Sequence, residues 1–241
     1  MSAQLLQIPS LPREERARRL LAGIEKNYSP TVFASSFGAE DMVVLDLIAR
    51  DGLSIPIFIL DTGRLPAETH ALIARVRKQY GLEIGVYQPW PDSVGAFVEQ
   101  HGFDGFYEGV EQRKACCTVR KVEPLRRALA GKRGWLTGLR REQSDSRAEV
   151  AETALDPVHG IWKFSPLADW SAEEVWSYLR THKVPYNALH DRGYPSIGCD
   201  PCTRSVKPGE HPRAGRWWWD QEGGRKECGL HEIPDKVVEK V

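Results

Sequence analysis

Five cysteines are the residues best equipped for chemistry in this sequence, and their spacing divides them into two kinds. Cys116 and Cys117 are adjacent, Cys199 and Cys202 form a Cys-x-x-Cys pair in a Gly/Pro-rich stretch, and Cys228 stands apart near the C-terminus. An odd count leaves one thiol over in any disulfide scheme, and the cytosol, the compartment expected here, keeps thiols reduced. Four thiolates brought together would make an all-cysteine site, suited to a [4Fe–4S] cluster or to structural zinc. Adjacent ligands fit the roughly two- to four-residue spacing of zinc sites badly, which favours the cluster; four buried thiols without a metal are the plain alternative. Arg120 and Lys121, on the same predicted helix as the first pair, would set positive charge near electron-rich sulfurs. Cys228 has a nucleophile's setting. Arg225, Lys226 and His231 flank it and favour its thiolate, with Glu227 opposing them.

Four further stretches are built to meet an anion or a nucleotide. Ser35-Ser36-Phe37-Gly38-Ala39-Glu40-Asp41 lies between a predicted strand and a predicted helix. Small residues there let backbone N–H groups and hydroxyls surround an anion at the helix N-terminus. No Gly-Lys-Ser/Thr follows, so it is not a Walker A loop. Leu60-Asp61-Thr62-Gly63 ends the next strand and is placed to meet a nucleoside bound beside the first loop. The third stretch, Gly138 to Arg147, follows another short strand and carries Arg140, Arg141 and Arg147, whose guanidinium groups suit bidentate capture of phosphate or sulfate oxygens. Arg213 and Arg216 stand beside Trp217-Trp218-Trp219. Each has a bland counterpart: a serine-capped turn, an Asp-Thr-Gly turn, a solvated basic loop, and tryptophans that only pack.

The elements that must position these residues follow from hydrophobic periodicity. Arg13 to Tyr28 reads as a helix feeding a strand at Thr31 to Ser35. Glu40 to Arg50 and Pro66 to Tyr80 read as helices, Ile55 to Leu60 and Ile84 to Tyr87 as strands. Further on, a helix is predicted over Glu111 to Leu129, a strand over Trp135 to Thr137, and a helix over Ser171 to His182 with a Ser171/Glu174 capping box. Strands that are continuously apolar, alternating with helices, predict an α/β domain: an open, mostly parallel sheet with helices on both faces. Ligands of such sheets sit beyond the carboxyl ends of the strands, where the loops after Ser35 and Leu60 lie. From Pro185 onward regular structure fades, and the expected organisation is one domain over residues 1–224 with a charged tail over 225–241.

Composition sets the bounds. The 241 residues carry 33 basic and 33 acidic side chains, so no net charge drives indiscriminate binding to nucleic acid or to anionic membrane, and any anion site is local. The longest apolar run, Met42 to Ala49, falls short of a membrane span and contains Asp46. The N-terminus lacks the apolar stretch of a signal peptide, so a cytoplasmic protein is expected, with no nucleic-acid or membrane partner.

Taken together and in order, Ser-Ser-Phe-Gly-Ala-Glu-Asp, Leu-Asp-Thr-Gly, Cys-Cys with Cys-x-x-Cys, Gly-Leu-Arg-Arg-Glu-Gln-Ser and Glu-Cys-Gly-Leu-His resemble the adenylylsulfate reductases of sulfate assimilation, the cluster-bearing branch of the phosphosulfate reductase family. The match runs from Ser35 to His231. The resemblance implies a fold similar to the PP-loop ATP pyrophosphatases, a [4Fe–4S] cluster on Cys116, Cys117, Cys199 and Cys202, and a nucleophilic Cys228. It places Ser35, Ser36, Phe37, Gly38 and Asp41 on the nucleotide phosphate side, and Leu60, Asp61, Thr62 and Gly63 at the adenosine. Gly138 and Arg140 join this substrate set, with Lys121, Arg147, Arg213, Arg216 and His231 around the phosphosulfate and Lys121 between substrate and cluster. Lys226 is a local departure, since many relatives carry a small hydroxyl residue there. The implied substrate is adenosine 5′-phosphosulfate and the implied electron donor an external thioredoxin or glutaredoxin; a homo-oligomer is compatible with the resemblance. Two rival readings are a phosphoadenylylsulfate reductase, whose relatives usually lack the four cluster cysteines, and a PP-loop nucleotide pyrophosphatase or zinc-stabilised binding module, which needs no reactive tail cysteine.

Overall fold

The computed structural model describes residues 11–220 and 229–231. Helix α1 (Arg13–Tyr28) leads into β1 (Thr31–Ala34), α2 (Ala39–Arg50), β2 (Ile57–Leu60), α3 (Ala67–Tyr80) and β3 (Ile84–Tyr87). Then come α4 (Pro91–His101), α5 (Val110–Cys117), α6 (Glu123–Leu129), β4 (Gly134–Leu136), β5 (Thr153–Asp156), β6 (Ile161–Phe164) and α7 (Ala172–Thr181). The six strands form one sheet in the order β3-β2-β1-β4-β6-β5, parallel throughout except for β5, which runs antiparallel to β6 at the edge. Among the described residues no helix is long and apolar enough to cross a membrane.

Burial explains the sheet. Phe33, Ile57 and Ile59 point with Phe164 and Leu136 into a core that also takes Met42 to Leu45, Leu47 and Ile48 of α2. Helix α2 is apolar nearly all round because the sheet, α1 and α7 enclose it. Its one buried carboxylate in that core, Asp46, accepts hydrogen bonds from the hydroxyls of Tyr80 and Tyr178, each at 2.7 Å, and so ties α2 to α3 and α7. On the opposite face, Val32, Phe58 and Trp135 pack against Leu125, Ala128 and Leu129 of α6.

Three features depart from the periodicity reading. The helix expected over Glu111 to Leu129 is interrupted by a π-type turn at Thr118–Val122. Pro124 has no N–H to offer the carbonyl four residues back and its ring crowds it, so the ladder widens there. Helix α4 and the β5–β6 hairpin escape the sequence reading. The helix buries little beyond Phe97, and the hairpin strands have four residues each with mixed burial, so neither leaves a strong apolar period. The capping box is present as expected: Ser171 Oγ accepts from Glu174 N at 3.1 Å, and Ser171 N donates to Glu174 Oε2 at 2.7 Å.

Candidate active site

Strand order reverses between β1 and β4, with β2 on one side and β6 on the other. Beyond the carboxyl ends of these strands lies a cavity of about 640 Å³, the place where an open α/β sheet holds its ligand. Ser35, Ser36, Gly38 and Asp41 line it from the turn after β1, Leu60 and Thr62 from the end of β2, and Gly138 and Arg140 from the turn after β4. Lys121, Arg147, Arg213, Arg216 and His231 complete the wall. Phe37, Asp61 and Gly63 do not line it. Phe37 is buried in the main core, and Asp61 turns to the Gly63 amide at 3.0 Å and to Gln88 at 3.2 Å.

The turn after β1 is held from within. Asp41 Oδ2 accepts from Ser36 N at 2.5 Å and from Ser36 Oγ at 2.7 Å, and the carboxylate also takes the Gly138 N–H. One buried side chain thereby joins the turns after β1 and β4. Burial, with Glu40 adding to it, pushes Asp41 up to about 6 despite these donors. Phe37 holds a left-handed backbone (φ 60°), and its N–H donates to Ser35 Oγ at 3.1 Å. The core contact of its ring supports that conformation, which is unfavourable for a residue with a Cβ. With the Ser36 and Phe37 amides thus engaged, the first-turn amides of α2 are the donors at this end. Gly38 precedes them and caps none with a side chain.

Charge on the wall is unequally available. Arg140 is buried and bonded to Glu40 Oε1 at 2.9 and 2.8 Å and to the Trp170 carbonyl at 3.1 Å, so its guanidinium clamps the walls together. Arg216 is also buried, lies 4.7 Å from the Trp217 ring centroid and donates to Ser196 and Ile197, each at 3.3 Å. Its passage requires Gly198, where a Cβ would stand 2.3 Å from Arg216 Nη2. Arg147 donates to Gln143 Oε1 at 2.6 Å. His231 is half-buried. Its burial, then Lys163, Arg147, Arg213 and Lys121, hold it well below the ordinary imidazole value.

Cys116, Cys117, Cys199 and Cys202 are all buried free thiols lining a second, smaller cavity with Arg64, Arg113, Arg120 and Lys121. Lys121 and Cys199 line both cavities and so form the partition between them. Thr62 Oγ1 lies 3.3 Å from Cys199 Sγ, and Arg120 Nη1 donates to the Thr62 carbonyl at 2.7 Å. Burial pushes the Cys202 thiol up to about 12, and Cys199 adds to the rise. For Cys199 itself burial acts upward, but Lys121, the Thr62 hydroxyl, Arg216 and Arg120 outweigh it and lower the thiol. Among the described residues no three His, Cys, Asp or Glu side chains gather so as to hold one metal ion. The donor set nonetheless fits an iron–sulfur cluster: four thiols on one enclosed cavity, rimmed by cations that offset sulfur charge. Cys228 lies outside the described residues.

Several residues here escaped sequence reasoning. Thr69, Trp176 and His190 line the cavity from α3, α7 and the chain after it, and the pairing of Glu40 with Arg140 was not foreseen, although Glu40 belongs to the stretch expected there and lines the cavity. His190 Nδ1 meets the Tyr194 carbonyl at 2.8 Å, and its buried Nε2 has no partner among the described residues. Of the three tryptophans, Trp217 is buried beside the cysteines while Trp218 is half exposed.

Comparison with known proteins agrees with this arrangement. The sequence model of the phosphoadenosine phosphosulfate reductase domain matches residues 30–205. The adenosine 5′-phosphosulfate reductase of Allochromatium vinosum is 54% identical over 227 residues, 94% of this chain and 88% of that protein. That of Burkholderia cepacia is 54% identical over 217 residues, 90% of this chain and 86% of its own length. Among solved structures, the phosphoadenylyl-sulfate reductase of Candida auris in its phosphate complex has a TM-score of 0.67 at 26% identity, covering 83% of this chain and 93% of that one. Yeast FAD synthetase in complex with FAD, with a TM-score of 0.54 at 16% identity over 80% of this chain and 66% of its own, shares the fold alone. A serine-rich turn after the first strand, a cation-lined cavity at the strand-order reversal and near-complete coverage by these relatives lead to one assignment: the chain belongs to the phosphoadenosine phosphosulfate reductase domain family.

Proposed function

We propose that the chain is a cytoplasmic adenosine 5′-phosphosulfate reductase of sulfate assimilation, releasing sulfite and AMP with thioredoxin or glutaredoxin as reductant. The observation that carries this reading is the shared partition: Lys121 and Cys199 face both the nucleotide-sized cavity and the four-cysteine cavity. In this reading the α2 amides and Ser35, Ser36 and Gly38 hold the nucleotide phosphate, while Leu60 and Thr62 border the adenosine. Lys121, Arg147, Arg213, Arg216 and His231 hold the phosphosulfate. Asp41, Gly138 and Arg140 act on the shape of the site. Cys116, Cys117, Cys199 and Cys202 would hold a [4Fe–4S] cluster, which when bound supplies structural support and an electrostatic environment next to Lys121.

The Cys228 thiolate attacks the sulfate sulfur, the sulfur–oxygen bond to phosphate breaks, and AMP leaves with the electron pair. The cationic wall offsets charge developing on the leaving phosphate. The enzyme is left as an S-sulfocysteine. A thioredoxin thiolate then attacks the Cys228 sulfur, sulfite leaves with the electrons of the sulfur–sulfur bond, and the second thioredoxin thiol resolves the mixed disulfide. Thioredoxin is oxidised to its disulfide as the sulfate sulfur is reduced to sulfite. The C-terminal segment, residues 225–241, thus serves as a carrier of the nucleophile beside the domain of residues 1–224.

The test is direct. Anaerobic enzyme mixed with adenosine 5′-phosphosulfate, without thioredoxin, should release AMP and add one sulfonate group to the Cys228 peptide; Cys228→Ser should do neither yet retain equal iron and acid-labile sulfide. A higher kcat/KM for the 3′-phosphorylated substrate would assign the chain to the other reductase class. Fully active, zinc-loaded protein without iron would overturn the cluster.

A further inference from the structure

Gly229, Leu230 and His231 are described residues of the C-terminal segment, and they rest on a receptor that no motif marks. Leu230 packs against the apolar group containing Val32, Phe58, Leu125 and Trp135. The His231 ring stacks on Trp135, with centroids 5.7 Å apart and planes 17° from parallel. His231 Nδ1 lies 3.3 Å from Lys163 Nζ. Trp135 on β4 and Lys163 on β6 are register partners in the parallel pair, so their side chains share one face, and Lys163 Nζ is 4.8 Å from the Trp135 ring centroid. The indole is held in turn: Trp135 Nε1 donates to Asp156 Oδ2 at 3.1 Å, while Asp156 Oδ1 takes the Val158 and His159 amides at 2.9 and 3.2 Å. The hairpin that the periodicity did not reveal therefore forms, with Trp135 of β4, the bench on which Leu230 and His231 sit.

The chemistry of this contact decides a tautomer. An ammonium has three donors and no acceptor, so the nitrogen it meets must accept, and a neutral imidazole that accepts at Nδ1 carries its proton on Nε2. His231 lines the substrate cavity and Lys163 does not. We propose that Lys163 and Trp135 are positioning residues for His231: the lysine sets the Nε2–H tautomer and the indole sets the ring plane, so that a neutral donor faces an anionic oxygen of the bound phosphosulfate. The inference rests on the functional reading above and names how one of its substrate contacts is prepared. The charged surroundings agree with a neutral ring. Lys163, Arg147, Arg213 and Lys121 face His231, while Asp156, His159 and Arg126 lie around Lys163 and the indole. A neutral donor keeps its hydrogen bond over the working pH range without adding to the crowd of cations.

The experiment uses full-length, cluster-loaded enzyme labelled with 15N-histidine, prepared anaerobically and read by long-range proton–nitrogen correlation, with His231→Gln serving only to assign the signal. Wild-type His231 should be protonated on Nε2 alone from about pH 6 to about pH 8. Lys163→Met should give mixed tautomers and a titration moved up toward the ordinary imidazole range. It should also raise KM for adenosine 5′-phosphosulfate about tenfold, the effect of one charge-assisted hydrogen bond, with kcat changed less than about threefold. Lys163→Arg, which still offers a donor to Nδ1, should restore the tautomer and most of the KM. A wild-type ring protonated on Nδ1, or Lys163→Met with unaltered tautomer and KM, overturns the inference. Should Lys163→Met not fold, the wild-type spectrum decides alone. An enzyme that makes no sulfite from adenosine 5′-phosphosulfate overturns the functional reading, whereas a wrong tautomer in an active enzyme overturns this inference only.

Discussion

Gly138→Ala is the sharpest probe of the clamp between the turns after β1 and β4. Its backbone φ is not in the left-handed region, so alanine meets no conformational barrier and the whole effect is steric. A Cβ built there would stand 2.2 Å from Asp41 Oδ1, 3.0 Å from Asp41 N and 3.1 Å from Glu40 Cβ. Ordinary contact requires about 1 Å of retreat. The carboxylate cannot supply it, since Ser36 N and Oγ hold Oδ2 at 2.5 and 2.7 Å. Either Asp41 swings away and leaves buried donors without an acceptor, at about 1–3 kcal/mol each, or the first turn of α2 shifts. A total of about 2–4 kcal/mol lowers Tm by about 5–15 °C in a chain of this size. A displacement of about 1 Å at the anion-facing amides should also reduce kcat/KM by about 100-fold. Differential scanning calorimetry at a fixed scan rate reads the first effect and steady-state sulfite release the second, with titration by AMP reporting the binding geometry directly. Gly23→Ala is the matched control, because a Cβ there, on α1, meets nothing within 4 Å and should raise Tm by a few degrees through helix propensity. If Gly138→Ala melts and binds AMP like wild type, the clamp does not set the geometry of the site.

Two further substitutions separate stability from binding and charge from shape. Asp46→Ala removes the acceptor of the Tyr80 and Tyr178 hydroxyls and should cost about 2–4 kcal/mol in urea unfolding, yet leave AMP affinity unchanged, since Asp46 does not line the cavity. Loss of AMP binding in that variant would show that the core network and the site are coupled. Asp41, pushed up to about 6 chiefly by burial, lies above its unfolded value of about 4, so the folded chain holds the proton more tightly. The stability this contributes is complete below about pH 4 and is lost as pH rises through about 6, amounting to about 1.4 kcal/mol between pH 5 and pH 7.5. Asp41→Asn should lack that pH-dependent difference; an identical pH profile would place the titration elsewhere.

Much of the architecture was legible because hydrophobic periodicity records which way a segment faces. The apolar runs at Thr31–Ala34 and Ile57–Leu60 could only be strands buried on both faces, and the Ser171/Glu174 box set a helix start by local hydrogen bonding alone. The sequence by itself also determined where chemistry must lie, since parallel strands place their ligand loops at one end, and it set the four thiols apart from the fifth by spacing. Tertiary structure decided what each loop residue does. Phe37 turns into the core, and Arg140 meets Glu40 across 100 positions of chain. Asp41 becomes a clamp on Ser36 and Gly138. The β5–β6 hairpin and its Lys163 were invisible to periodicity because two four-residue strands of mixed burial, one of them at the sheet edge, have no apolar stripe to read. Periodicity encodes burial along one element. The pairing of a charge with a partner on another element depends on where the sheet brings them together, and no local pattern carries that information.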